Sequence, residues 1–323
     1  MIAISTQSVL DVITCYKTEI NRLIGQKKIR LASFMDDENW SFNREQKKYL
    51  DFLYKNFEDV VFALPSNIIL LKNNLKKSPK EWRKKQYGNP KSFKDGLLYA
   101  LDYNGLRRDL YPKYFRELGI KACVYCNAHL TVTTEKKNGD ESVFKGKFQV
   151  DHYHAKADYP CFSISFFNLY PSCASCNNAK SENKIDFQLY STLNERNCDF
   201  EFFIEDHLLS DFLTNRNADK LEISFKEPGI KTDGEGQFQR LFDIKGIYNT
   251  QKDLAEELIL KRQVYTPDYK EQLVENFPDI FNSVAFSNRL IIGNYCDEKD
   301  IHRRPMAKFT RDIARQVGLI EEE

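Results

Sequence analysis

Residues Phe148 to Lys180 read FQVDHYHAKADYPCFSISFFNLYPSCASCNNAK. The stretch holds Asp151-His152, an Asn-Leu pair at Asn168, and a Cys-x-x-Cys at Cys173 and Cys176. Asn177 follows that pair at once, and Lys180 trails it. Packing needs none of these. Together they suit hydrolysis of a phosphodiester, which needs an activated water, charge neutralised at phosphorus and help for the leaving oxygen. An imidazole titrates near neutral pH, so His152 is the natural general base. Asp151 offers a hard oxygen ligand for Mg2+ or Mn2+, and the side-chain oxygen of Asn177 offers a second. With so few protein ligands, the ion would keep waters and take the scissile phosphate as a further ligand. His154, Lys156 and Lys180 lie close by as candidate phosphate contacts. The plain alternative for each is a solvated polar side chain.

A second Cys-x-x-Cys, Cys123 and Cys126, lies upstream. Two such turns supply four thiolates, enough for a tetrahedral zinc site in a reducing compartment. The alternative is two unrelated pairs of core thiols. A redox role is not expected, because neither pair follows a strand in a βαβ pattern. His129 reads as an ordinary surface residue. The remaining cysteines, Cys15, Cys161, Cys198 and Cys296, read as buried free thiols.

In order, then, the chain shows Cys123-Val-Tyr-Cys126, Val-Asp151-His152, Asn168-Leu and Cys173-Ala-Ser-Cys176-Asn177-Asn-Ala-Lys180. This succession resembles the HNH endonucleases, the ββα-metal nucleases with a cysteine-pair zinc staple. It is similar to their H-N-N form, with Asn177 where others carry His. The resemblance covers residues 121–182. It implies a zinc-stapled ββα-metal core, which with the helical spacing elsewhere in the chain makes the expected fold α+β and mainly helical. It also implies metal-dependent cleavage of DNA, structural Zn2+ on the four cysteines, and catalytic Mg2+ or Mn2+ at Asp151 and Asn177. Asn168 takes the orienting role from the resemblance: it would hydrogen-bond across the loop and hold His152 in place.

Elements must position these residues. HLTVTTE alternates, KKNGDE signals a turn, and SVFKGKFQVDHY alternates again, which predicts a β-hairpin. ISFFNLY predicts a short strand or extended loop, and CASCNNAKSENK the start of a helix. Neighbours on a strand point to opposite faces, so Asp151 and His152 share a site only if the strand bends or ends there. Residues 4–30 and 43–63 carry helical spacing. Segment 66–118 is mostly helical, broken near Pro79 and near Gly88-Asn89-Pro90. Within it, 72–94 is basic, either a solvated helix face or a phosphate-contacting patch. After residue 198, CDFEFFIED and KLEISFKE read as strands. Helical patterns resume in GQFQRLFDI and TQKDLAEELILKRQVY. The tail ends in an amphipathic helix behind Arg303-Arg304. The chain thus divides into three regions: helical 1–118, the core at 119–186, and mixed α/β 187–323, with no Pro/Gly/Ser-rich linker between them.

The charges balance, 48 Lys and Arg against 47 Asp and Glu, so any basic surface must be local. Segments 72–94 and 303–311, with Arg303 and Arg304, are candidates for tracking a nucleic-acid backbone at low sequence specificity. No apolar run of about 18 residues is present, so no membrane helix is expected. The first residues lack the pattern of a signal peptide, which leads to an expectation of a cytoplasmic protein.

Two stretches, SFFNLYPSCASCNNAKS and GNYCDEKDIHRRPMAKFTRDI, resemble bacterial HNH proteins of defence loci. These include the nuclease partner of an ATPase in Septu-type anti-phage systems. No Walker motif is present, so ATP-dependent control would come from such a partner chain. Two other readings stay open: an RNA-directed nuclease acting, for instance, on tRNA, and a non-catalytic zinc-stapled module that binds nucleic acid or a partner.

Overall fold

A computed structural model describes residues 1–86, 89–139, 141–192, 200–229 and 236–321. The fold is α+β and mainly helical, with its strands in small two-stranded sheets. The chain divides into two compact units, one of Ile4–Leu118 with Val132–Glu195, the other of Met1–Ala3, Gly119–Thr131 and Arg196–Glu323. This grouping cuts across the three consecutive regions read from the sequence, because distant segments pack together.

In the first of these units, β1 (Ile4–Ser5) leads into α1 (Thr6–Cys15), α2 (Lys17–Met35), α3 (Arg44–Lys55), α4 (Phe57–Val61) and α5 (Pro65–Leu71). A 3-10 turn at Lys80–Arg83 precedes α6 (Phe93–Leu101), α7 (Tyr103–Asp109) and α8 (Tyr111–Glu117). Local chemistry sets these boundaries. Asn43 and Gln46 form a reciprocal capping box at the start of α3, and Ser92 caps α6. Pro65 and Pro112 stand in first turns, where a missing N–H does no harm. Asp102 ends α6 and caps α7, its carboxylate accepting from Gly105 N (3.2 Å) and Lys27 Nζ (2.6 Å). A side chain at Gly105 would overlap that carboxylate, so the cap that aims α7 needs glycine there. Phe34, Trp40, Phe42, Tyr49, Trp82 and Phe93 form the aromatic core under these helices, with Trp82 and Phe93 4.6 Å apart.

The expected hairpin forms as β2 (Val132–Asn138) against β3 (Glu141–Lys147), with Gly139 at φ +60 in the turn. It ends sooner than the sequence predicts. At Phe148 the chain leaves the ladder, and β4 (Gln149–His152) pairs instead with β5 (Leu169–Ser172), Asp151 opposite Tyr170 and His152 opposite Leu169. The ββα order is thus β4, β5 and then α9 (Ala174–Lys180), and the 132–147 hairpin is separate from it. β6 (Tyr190–Ser191) pairs with β1.

In the other unit, β7 (Glu201–Phe203) pairs with β8 (Ser224–Lys226), as the strand-like patterns predict. The helices are α10 (Asp206–Asn215), α11 (Gln237–Phe242), α12 (Ile244–Asn249), α13 (Lys252–Val264), α14 (Pro267–Asn276), α15 (Val284–Ile292) and α16 (Ala307–Gln316). Phe202, Tyr248 and Phe309 meet in its core at ring separations of 4.2 to 5.6 Å. Helix α16 is the amphipathic helix expected at the end of the tail, but its polar side is not solvated. Ala307 to Ala314 are all buried, and its charges pair internally: Lys308 with Asp312, and Arg311 with Asp312 and Glu298.

Among the scattered cysteines, Cys161 and Cys296 are buried as expected. Cys15 is exposed, on the outer side of α1. Cys198, like Gly88 and Asp140 of the predicted breaks, lies outside the described residues. Among the described residues, no helix is long and apolar enough to cross a membrane.

Candidate active site

β4 ends at His152, as sharing a site with Asp151 requires, and both side chains are buried. His152 Nε2 lies 3.0 Å from the carbonyl oxygen of Ser163, which the 3-10 turn Pro160–Ile164 presents. A carbonyl only accepts, so Nε2 carries the proton and the ring's lone pair sits on Nδ1. Burial, then the nearby Lys156 charge, pushes the His152 pKa down to about 3; Lys180 and Arg107 act in the same direction. The ring is therefore neutral across the physiological range. Tyr103, from α7, stands with its ring centre 5.0 Å from that of His152, and its hydroxyl donates to Val150 O at 3.3 Å.

Asn168 is fully buried and clasps the loop just beyond His152. Its Oδ1 accepts from His154 N–H (2.7 Å), and its Nδ2 donates to His154 O (3.2 Å) and Phe162 O (2.9 Å). Its grip falls on the neighbours of His152 and Ser163, so it fixes both ends of the imidazole hydrogen bond without touching the ring.

Helix α9 packs against β4 and brings Lys180 into the site. Cys173 caps this helix, its sulfur accepting from Cys176 N at 3.4 Å. Lys180 is fully buried, with Nζ 3.0 Å from Asp151 Oδ2 and 3.1 Å from His152 O. The expectation of a phosphate contact does not fit this placement, because the ammonium faces a carboxylate and a carbonyl instead of solvent. Asn177 lies one helical turn earlier, on the same side of α9, and is half-buried. Asp151, on β4, and Asn177, on α9, thus come from two elements that pack together.

The rim beside His152 is cationic. Lys156 is exposed, with Nζ 4.8 Å from the centre of the Tyr103 ring. Its pKa is lowered by burial of part of the side chain, then by Arg107 and Lys94. Arg107, on α7, is exposed and donates to Gln149 Oε1 at 2.7 Å. Tyr103 and Arg107 were not legible as site residues, and Lys94 only as the last residue of the basic segment 72–94. They come from helices with no motif, and nothing short of the fold brings them to His152.

The remaining predicted contacts are more mixed. His154 is half-buried, and Lys72 Nζ donates to its Nδ1 at 2.9 Å. Burial, then Lys72, lowers its pKa to about 3, so it would meet a phosphate only as a neutral Nε2–H donor. The basic segment is partly spent inward. Lys77 and Arg83 pair with Asp158, while Ser78 donates to Asp158 O and Ala157 O. These contacts hold the loop after His152, leaving Lys76, Lys80, Lys84, Lys85 and Lys91 exposed. In the tail, Arg303 pairs with Asp300 at 2.7 Å and Arg304 donates to Gly293 O at 2.8 Å; both are exposed. Lys308 and Arg311 of the expected 303–311 track are buried.

Cys123, Cys126, Cys173 and Cys176 are buried and form no disulfide, and their sulfurs all lie within 4.8 Å of one another. Sulfurs around one zinc with bonds of about 2.3 Å stand about 3.8 Å apart, so the cluster is placed to bind a metal such as zinc. The turn 123–127 is built for this. Asn127 adopts φ +53, its Oδ1 accepts from Lys308 N (3.0 Å), and Tyr248 Oη donates to Cys126 O (2.8 Å). His129 is exposed, its Nδ1 3.5 Å from Cys126 Sγ.

No family model, curated protein or solved structure matches this chain. The functional reading therefore rests on the residues themselves.

Proposed function

We propose that the chain is a metal-dependent endonuclease of HNH type that hydrolyses DNA phosphodiester bonds. The observation that carries the reading is the His152 hydrogen bond to Ser163 O, which commits Nε2 as donor and leaves Nδ1 as the basic nitrogen. Nδ1 would take the proton of the attacking water. Asp151 and Asn177 would hold Mg2+ or Mn2+, which would neutralise charge at the phosphate and acidify that water enough for so weak a base. Lys156 and Arg107 would receive the phosphate, and Asn168 keeps the imidazole hydrogen bond in register. Zinc on the four cysteines would be structural, since four thiolates leave no open ligand position. On the softer resemblance, the setting is anti-phage defence beside an ATPase partner.

The test is incubation of the purified chain with supercoiled plasmid and, in parallel, with tRNA, each with Mg2+ or Mn2+ and with EDTA. Metal-dependent cutting of the plasmid is expected. Cutting of tRNA alone would move the substrate to RNA. Cutting of neither, with or without candidate partner chains, would favour a binding module.

A further inference from the structure

Lys180 is a buried charged residue of the site that the proposed mechanism leaves unused. It is also the most costly to place there. A lysine ammonium in a protein interior is tolerated only when paired and hydrogen-bonded. Here it is paired with Asp151 Oδ2 at 3.0 Å and hydrogen-bonded to His152 O at 3.1 Å. One side chain therefore touches both the carboxylate assigned to the metal and the backbone of the assigned base.

The charge balance around Asp151 makes this more than a staple. The Asp151 carboxylate is matched by the Lys180 ammonium, with Lys156 and Arg107 on the neighbouring rim. A neutral or positive site attracts a divalent cation poorly. Mg2+ sites of this kind use one or two carboxylates together with substrate phosphates. The missing negative charge must arrive with the substrate.

We propose that Lys180 gates the metal site. Its ammonium, held against Asp151, keeps the protein from loading a divalent cation tightly until a phosphodiester supplies the balancing charge. The proposal rests on the endonuclease reading and makes metal and substrate binding reciprocal: whatever factor DNA adds to metal affinity, the metal adds to DNA affinity. A chain so built stays unloaded at ordinary metal levels when no nucleic acid is bound.

The test counts free Mn2+ by electron paramagnetic resonance while zinc-loaded protein is titrated. It is run without and with a short DNA duplex, in a His152→Ala background that cannot cut, subtracting Mn2+ bound by duplex alone. In this background, the chain that keeps Lys180 should bind Mn2+ weakly alone and at least tenfold more tightly with duplex. Lys180→Met should bind Mn2+ without duplex tighter by on the order of tenfold or more and lose most of the coupling. Lys180→Arg, which keeps the charge, should retain the coupling. Equal Mn2+ affinity in Lys180→Met and the Lys180 chain, both folded by circular dichroism, would reduce Lys180 to a staple between α9 and β4 and overturn the proposal. Should Lys180→Met not fold, the Lys180 chain decides alone: no change in Mn2+ affinity on adding duplex overturns it. No Mn2+ binding in either condition is a different failure, because it removes the metal site itself.

Discussion

His152 is neutral because of its surroundings and not its type. A surface histidine is half protonated near pH 6.5. This one is buried, donates through Nε2 to Ser163 O, and faces Lys156 and Arg107, so it stays neutral. Asp151, His152, Asn168 and Asn177 were legible as candidates from their types and order, and the structure buries the first three around the end of β4. Lys180 was legible as a charge but not as a buried one; sequence reports a side chain's charge and is silent on what it faces. Arg107 was invisible, since only α7 brings it to the rim. Its role is testable alone. Arg107→Ala should weaken duplex binding for all sequences alike and lower the magnitude of the log K against log salt slope by about 0.9, one phosphate contact. An unchanged salt slope, measured by fluorescence anisotropy, would take Arg107 off the phosphate path.

At the scale of elements, the sequence predicted strand, strand, helix, and the structure has that order with a different first strand. The period-2 pattern runs through Phe144, Phe148 and Val150 with polar residues or glycine between them, so periodicity alone joins β3 and β4. The break at Phe148 comes from packing: its ring meets Phe115 of α8 at 5.4 Å, edge to face. Beyond β4 the chain is irregular, and Asn168 holds it with three hydrogen bonds. Removing that side chain takes the partner from His154 N–H and C=O, while Phe162 O keeps Ser165 N–H; a buried group left unpaired costs about 1–3 kcal/mol. Asn168→Ala should therefore lose about 2–4 kcal/mol in urea unfolding, allowing for partial relaxation, and should cut more slowly than its stability loss explains. Stability within experimental error of the unaltered chain would show that the loop is held by other means, with the contacts of Lys72, Lys77 and Arg83 the first to suspect.

At the scale of the whole molecule, the helical character and the pairing of the two Cys-x-x-Cys turns were legible, and the two-unit grouping was not. The turn at Cys123 is cradled by residues nearly two hundred positions later: Lys121 and Ala122 N–H both donate to His302 O, and Met306 N to Asn127 O. No local pattern announces such contacts. His302 links them to the start of the chain, its Nε2 donating to Ile2 O at 2.8 Å. Burial pushes its pKa down to about 4. The unfolded chain, with histidine near 6.5, binds that proton first on acidification. The stability held above pH 6.5 should therefore drain away as pH falls towards 4. His302→Gln keeps an N–H donor without the titration, so its stability should fall less steeply than wild type over that window. Equal slopes in urea unfolding would mean that His302 adds nothing to the acid response.

The central claim is that His152 is the base of a metal-dependent phosphodiesterase site and that the cysteine cluster takes no part in the chemistry. The most direct test compares wild type and His152→Ala on supercoiled plasmid under single-turnover conditions with Mg2+ or Mn2+, with zinc content measured on the same samples. The account predicts that wild type cuts, that the variant loses cutting by at least a hundredfold, and that both carry the same zinc. A variant that cuts at the wild-type rate would contradict it, because Nδ1 of His152 would then not be taking the proton.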